Sequence, residues 1–428
     1  MSKKMSKTYC PLAWNHSFIN QDGSFQVCCT SEEFDNNIRN ENGEKIFISD
    51  DVSPEVVMNS EFMKNIRKQM LDGEWPELCK RCEITEKHGG ASRRVIEMMN
   101  YENQEQNQIN LELTSDDGTT SAPITSADYR LGNLCNLQCR TCNPRSAQMW
   151  IREWNNIKPE EEQFSKEVME SYKNYNWIDS EVLVKDFKFK APTLNHIHFA
   201  GGEPLIVPQM RKVLEICIES GNAKNIVLTY NTNMTVLPDN IINLWKEFKH
   251  VKILASVDAV GELNSYIRYP SKWDKIHTNL QKIDEYHKEF NVSECLLSTT
   301  VQALNIMKLR DIVEYLKQFN FIVPVPNLIN LHVPYYFSSP ILPKSLKKLV
   351  TLDLLSLKDE SEERLPEHYR FLSENIGQIV NFMNSTDLYS EGAFSKFLEM
   401  QKKYDQNKNM DLYQFYPQFK DLAVKCTN

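Results

Sequence analysis

Cys135-Asn-Leu-Gln-Cys139-Arg-Thr-Cys142 decides how this 428-residue chain is read: three cysteines stand within eight residues, at x3 and x2 spacing. Three thiolates hold three irons of a four-iron, four-sulfur cube and leave the fourth iron an open coordination position. A cluster with four cysteine ligands typically only moves electrons, whereas an open iron can bind and activate a substrate. A three-cysteine zinc site completed by a distant histidine uses the same spacing, so spacing alone leaves both metals open. The preceding Ile124 to Leu131 has a strand pattern. The cysteines therefore fall in a loop at a strand's C-terminal end, where barrel enzymes place their chemistry.

Working outward, strand-like segments alternate with helical patterns from 126 to about 340, which implies parallel strands with covering helices. His196-Ile-His-Phe-Ala-Gly-Gly-Glu-Pro204, Asn225 to Asn233, Val251 to Asp258 and Cys295 to Val301 follow the cysteine loop in order. A last strand is expected near Phe321 to Val325 and Ile329 to Val333. Upstream lies a second group: Cys10, Gly23, Cys28 and Cys29, then Cys79-Lys-Arg-Cys82. Phe18 to Asn20 and Phe25 to Val27 read as a hairpin around Gln21-Asp22-Gly23. Ser60 to Leu71 reads as a helix, with Phe62, Met63, Ile66 and Met70 on one face. A hairpin, a helix and a CxxC knuckle can bring four thiolates together. A four-cysteine zinc knuckle uses the same spacings.

The cysteine triad and the ordered segments behind it resemble the radical S-adenosylmethionine (SAM) superfamily. The resemblance runs from near 126 to near 340, with GGEP ending the second strand and Tyr266-Ile-Arg268 matching an arginine-bearing stretch after the fourth. It implies a partial (β/α)6 TIM-like barrel. It also implies a [4Fe–4S] cluster on Cys135, Cys139 and Cys142, with SAM chelating the open iron. Gly201 and Gly202 lack side chains, so the strand end can approach a ligand and present backbone groups to it. Glu203 can accept from the SAM ammonium, and Pro204 stiffens the exit. Ser256 and Arg268 suit the methionine carboxylate, since arginine binds carboxylates through two parallel donors. Plainer uses stay open: Glu203 as a helix cap, Ser256 as a strand-end hydroxyl, and Arg268 in a surface ion pair.

Residues 8 to 94 resemble the auxiliary-cluster region of twitch and SPASM radical SAM proteins. Here that region precedes the barrel, and the cysteines completing a two-cluster SPASM domain are absent. The resemblance implies a second, auxiliary [4Fe–4S] cluster on Cys10, Cys28, Cys79 and Cys82. Cys28 is preferred to Cys29 because the Gly–x4–Cys spacing selects it. The organisation expected is an auxiliary domain over 1–95, a linker over 96–125, the barrel over 126–344 and a helical C-terminal region over 345–428. The linker assignment rests on the Asn-, Gln-, Ser-, Thr- and Asp-rich stretch from Asn100 to Thr125. The C-terminal region carries Leu346, Leu349, Leu352 and Leu355 and no recognisable chemistry.

The remaining candidates have bland explanations. Cys217 and Cys295 suit packed small hydrophobes, and Cys426 suits a loose terminal thiol. Trp150 and Trp154 suit helix packing, and His196 and His198 suit satisfied core histidines over lumen-facing groups. Eleven cysteines with no export signal or membrane-length apolar run point to metal ligation in a reducing cytoplasm. A formal charge of −9 without a long Lys/Arg cluster argues against a bare nucleic-acid-binding module. The function implied is reductive SAM cleavage to a 5′-deoxyadenosyl radical, by an oxygen-sensitive enzyme fed by a reductant such as flavodoxin or ferredoxin. The substrate implied is a peptide or protein. Oxidation or rearrangement of a small metabolite, or a non-catalytic iron–sulfur or zinc scaffold, are the alternatives.

Overall fold

The turn Gln21-Asp22-Gly23 closes as its residues dictate. Gly23 takes φ +84°, a left-handed conformation that a Cβ would strain, and Asp22 Oδ1 accepts from the Ser24 amide at 3.0 Å. His16–Ile19 (β1) and Phe25–Gln26 (β2) thereby pair antiparallel, with Phe18 opposite Gln26. The computed structural model describes residues 5–30, 36–87, 90–99, 101–364, 367–384, 391–420 and 422. Cys426 lies outside the described residues.

Six further strands follow: Ser126–Arg130 (β3), His196–Ala200 (β4), Val227–Thr232 (β5), His250–Ser256 (β6), Val292–Val301 (β7) and Asn327–Asn330 (β8). All eight form one mostly parallel sheet in the order β2-β1-β3-β4-β5-β6-β7-β8. The strands β3 to β8, with helices between them, are the partial (β/α)6 barrel. By contact density the chain divides into two compact units. The first holds Met1–Asn133, Asn174–Thr229 and Leu244–His250; the second holds Leu134–Lys173, Tyr230–Asn243 and Val251–Asn428.

In the first unit, β1 runs parallel to β3, with His16 opposite Ser126, and β3 runs parallel to β4. Alternation sends Tyr129 to one face, where it stacks on Phe187 of the helix Glu181–Lys190 with ring centroids 4.3 Å apart. The other face carries His16, Asp128, His196 and His198. The helix Glu61–Leu71 starts from Ser60, whose hydroxyl accepts from the Met63 amide at 3.4 Å, and it buries Met63, Ile66 and Met70. Arg67 on the same helix is fully buried, and its guanidinium donates to the carbonyls of Gly118, Ala13 and Met58.

Arg67 ties the helix, through the Gly118 carbonyl, to the stretch expected as a linker. It holds the helix Tyr101–Glu112. Asn107, Asn110 and Leu111 are fully buried there, and Asn107 and Asn110 bond the Tyr9 hydroxyl at 3.3 and 3.1 Å. Trp14 Nε1 donates to Thr114 Oγ1 at 2.8 Å. Amides with buried partners behave as core, which composition alone hides.

In the second unit, β6, β7 and β8 run parallel. A single strand, Asn327–Asn330, stands where the sequence predicts one near Phe321 to Val325 and Ile329 to Val333. The amides of Asn320, Phe321 and Ile322 are taken by the Asp284 carboxylate at 2.7 to 3.0 Å, so no ladder forms there. The C-terminal helices are Lys344–Glu362, Glu367–Met383 and Glu391–Lys408. The first buries Leu346, Val350, Leu354 and Leu357, while Leu349 and Leu352 stay exposed. A strict three-residue step falls short of the 3.6-residue turn and walks off the buried face. Cys217 and Cys295 are fully buried. Among the described residues, no helix is long and apolar enough to cross a membrane.

Candidate metal centres

Cys10, Cys28, Cys79 and Cys82 line one pocket in the first unit, with Leu12, Val27, Met70 and Leu78 as its apolar walls. Local structure aims each thiol. Cys10 opens a turn in which the Ala13 amide donates to its carbonyl at 3.1 Å. Cys28 follows β2, and its carbonyl accepts from Asn36 Nδ2. Cys79 ends the turn Glu77–Cys79, and Cys82 falls in the helix Lys80–Lys87. Burial pushes the Cys10 and Cys79 thiols far up, and the neighbouring cysteines push them further. Such a pocket disfavours four bare thiolates and favours a cationic core that removes their repulsion.

Cys29 has a different environment: its electrostatic neighbours are Arg93, Asp128 and Arg130, and its sulfur lies 3.9 Å from Thr30 Oγ1. The pocket's four thiols are a soft donor set that suits iron–sulfur clusters, and Thr30, Arg93 and Arg94 complete its polar lining.

In the second unit, the Leu134–Cys142 stretch is held from several sides. Asn136 Nδ2 donates to Thr235 Oγ1 at 2.8 Å, and Asn233 Nδ2 donates to Asn136 Oδ1 at 2.9 Å. The Arg140 amide donates to the Ile267 carbonyl at 3.0 Å. Trp150 Nε1 donates to the Cys139 carbonyl at 3.1 Å, so this tryptophan braces the loop as well as packing edge-on against Trp154. Cys135, Cys139 and Cys142 are each partly exposed. Burial pushes the Cys142 thiol up to about 12, with Cys139 adding to the rise.

Arg268 directs Nη1 at Cys139 Sγ, 3.9 Å away, and its Nε donates to Asp258 Oδ2 at 2.7 Å. Burial opposes its charge, yet Asp258, with Cys139 and Cys135, holds the guanidinium above its ordinary range. Asp258 is itself fixed, since Oδ1 accepts from the Thr300 amide at 2.9 Å and its carbonyl accepts from Asn305 Nδ2 at 2.8 Å. The structure thus brings Arg268 to the triad in a buried ion pair, not a surface one. Ser256 ends β6 half-buried, in register with Ser298 of β7. Sequence reasoning missed Asp258, although it ends the quoted strand, and it missed the brace from Trp150.

The GGEP element belongs to the first unit. Gly201 takes φ +108°, and a Cβ there would lie 3.1 Å from both Arg130 Cα and the Gly132 carbonyl oxygen. The Gly202 amide donates to that same carbonyl at 3.3 Å. Glu203 is buried and accepts from the Leu205 amide at 3.2 Å, capping the turn Pro204–Ile206. Gly201→Ala is expected to cost about 2 kcal/mol from backbone strain alone, read as a lower melting temperature. An unchanged melting temperature would show that the strand end can relax.

On the polar face of the same sheet, His198 Nδ1 pairs with Asp128 Oδ2 at 2.9 Å. His196 Nε2 meets Thr229 Oγ1 and His16 Nδ1 meets Ser126 Oγ, each at 3.0 Å. Burial drives His16 down to about 4 and His196 down to about 3, so both are neutral near pH 7.

Residues 129–316 match the radical SAM superfamily, and residues 10–83 match an iron–sulfur cluster-binding domain of the SPASM type. The chain therefore carries a radical SAM domain preceded by a SPASM-type domain. These domains imply a SAM-binding [4Fe–4S] cluster and an auxiliary iron–sulfur cluster.

No curated protein matches the chain. Among solved structures it is similar to anSMEcpe with bound AdoMet and Kp18Cys peptide, at 18% identity and a TM-score of 0.36. That match covers 59% of this chain and 61% of that one, so the chain spans about three fifths of that protein's length. It is also similar to Streptococcus suis SuiB bound to precursor peptide SuiA, at 13% identity and a TM-score of 0.32, covering 88% of this chain and 70% of that one.

Proposed function

We propose that this chain is a radical SAM enzyme that modifies a peptide or protein, working in a reducing cytoplasm with electrons from a flavodoxin- or ferredoxin-type donor. The observation that carries the reading is the three-cysteine loop leaving β3, with the Arg268–Asp258 pair directed at Cys139. Cys135, Cys139 and Cys142 would hold three irons of the SAM-binding cluster. Cys10, Cys28, Cys79 and Cys82 would hold the auxiliary one. When bound, cluster and SAM supply reductive cleavage to a 5′-deoxyadenosyl radical that takes hydrogen from an unreactive C–H bond.

The chain's own residues bind and orient. Gly201 lets the strand end pass close to Arg130 and Gly132, Gly201 and Gly202 would present backbone groups to the ligand, and Glu203 and Pro204 hold the turn behind them. Ser256 and the remaining donors of Arg268 are assigned to the methionine carboxylate. A closed four-thiolate cluster in a chain that also holds a SAM site suits substrate oxidation, in which an electron must leave the substrate. The SPASM-type domain favours a peptide or protein substrate.

The test is SAM consumption under dithionite, with the peptide fraction or the small-molecule fraction of a cell extract. Stimulation by the peptide fraction, with a mass change in one peptide, is expected. Stimulation by the small-molecule fraction alone would make the substrate a metabolite and overturn the peptide assignment.

A further inference from the structure

The first of the two residues between the second and third thiols of the loop is a buried arginine. Arg140 is 2% exposed, and its guanidinium lies over the Tyr266 ring, 3.7 Å from the centroid. Every face of it is used. Nε donates to the Tyr266 carbonyl at 2.9 Å. Nη1 donates to Gln401 Oε1 at 2.9 Å, and Nη2 donates to Asp405 Oδ1 at 2.7 Å. The Arg140 carbonyl accepts from the Tyr404 hydroxyl at 3.2 Å. Gln401, Tyr404 and Asp405 all sit on the C-terminal helix Glu391–Lys408. A second tie runs from Lys408 Nζ to Gln138 Oε1 at 2.6 Å.

We propose that Gln401 and Asp405 of the C-terminal helix are positioning residues for the SAM-binding cluster, acting through Arg140 on the loop that carries Cys139 and Cys142. The proposal rests on the assignment of that cluster to the three thiols.

A buried arginine is costly to desolvate unless its donors are met, so the loop's conformation and the helix's position are set together. Asp405 is suited to the task because its second oxygen is also committed. Oδ2 accepts from the Leu412 amide at 2.7 Å and from the Tyr266 hydroxyl at 3.2 Å. An amide in its place cannot serve both sides, since its NH2 group must face either Arg140 or the Leu412 N–H. Partners hydrogen-bonded to a metal ligand typically change metal affinity or activity by 10–100-fold, and Asp405, one step further out through Arg140, is expected at the low end of that range. Arg140 is adjacent to Cys139 in the chain and separated from Cys142 by one residue, so its displacement moves both thiols.

The experiment uses the full chain, reconstituted without oxygen and reduced, and follows the EPR signal that changes when SAM is added. With Asp405→Asn, that signal is expected to decay about tenfold faster under a ferrous chelator. The cluster's midpoint potential should shift at equal iron content, and Asp405→Glu should return both quantities toward wild type. Arg140→Lys, which keeps the charge and loses the fork, should also decay faster. If Asp405→Asn fails to fold, Gln401→Leu removes one acceptor at a milder cost and should accelerate decay in the same direction. Wild-type decay and potential in these variants, with only the melting temperature lowered, would overturn the proposal and leave Arg140 a structural anchor. An unaltered protein that gives no SAM-responsive signal would instead sink the assignment of the cluster itself.

Discussion

Cys139→Ala stops the release of 5′-deoxyadenosine under dithionite, lowering it by more than ~100-fold, beyond what losing even an outer-shell partner of a metal ligand causes. The side chain is all that changes. The backbone at this position is held independently, by Trp150 Nε1 on the Cys139 carbonyl at 3.1 Å and by the Arg140 amide on the Ile267 carbonyl at 3.0 Å. Two thiols, Cys135 and Cys142, would then face a cube that needs three. Arg268 Nη1 would lose the sulfur it approaches at 3.9 Å while keeping its bond to Asp258. The check is chromatography of the quenched reaction, with iron counted on the same sample. Full release of deoxyadenosine from the variant would remove the triad from the chemistry.

The second large effect concerns the other cysteine group. The unaltered protein, purified without oxygen, should hold near eight irons per chain, about four for each cube. Cys79→Ala should lower this to about four while the SAM-responsive EPR signal remains. Cys79 is a strong choice because the thiols of Cys10, Cys28 and Cys82 all lie within its electrostatic reach. About four irons together with one zinc in the unaltered protein would instead make the first group a zinc knuckle.

Much of the architecture was readable from sequence, because the signals were local. The hairpin was marked by Gln21-Asp22-Gly23, the helix at 61–71 by the period of Met63, Ile66 and Met70, and the strands by apolar runs ending in Gly201-Gly202 and Asp258. The triad was readable for the same reason, since all three thiols share one loop. What escaped was non-local. Asn107 and Asn110 look solvent-bound until the Tyr9 hydroxyl, 98 and 101 residues away, is seen to hold them. The leucines at 349 and 352 look like a buried stripe until the helix turns them outward. Arg140 stands inside the most legible motif of the chain, yet its partners Gln401 and Asp405 lie 261 and 265 residues downstream. No spacing rule links positions so far apart.

The parallel pairing of β1 with β3 bears on how the chain is made. A strand that hydrogen-bonds to a neighbour 110 residues later cannot complete its ladder when it leaves the ribosome. At ordinary synthesis rates the β3-facing edge of β1 stays open for on the order of ten seconds, while Cys10, Cys28, Cys79 and Cys82 are already emerging. An open edge beside unliganded thiols invites wrong pairing. The first cysteine group is translated early but finished late: its sheet closes only once the residues leading into Cys135 have been added.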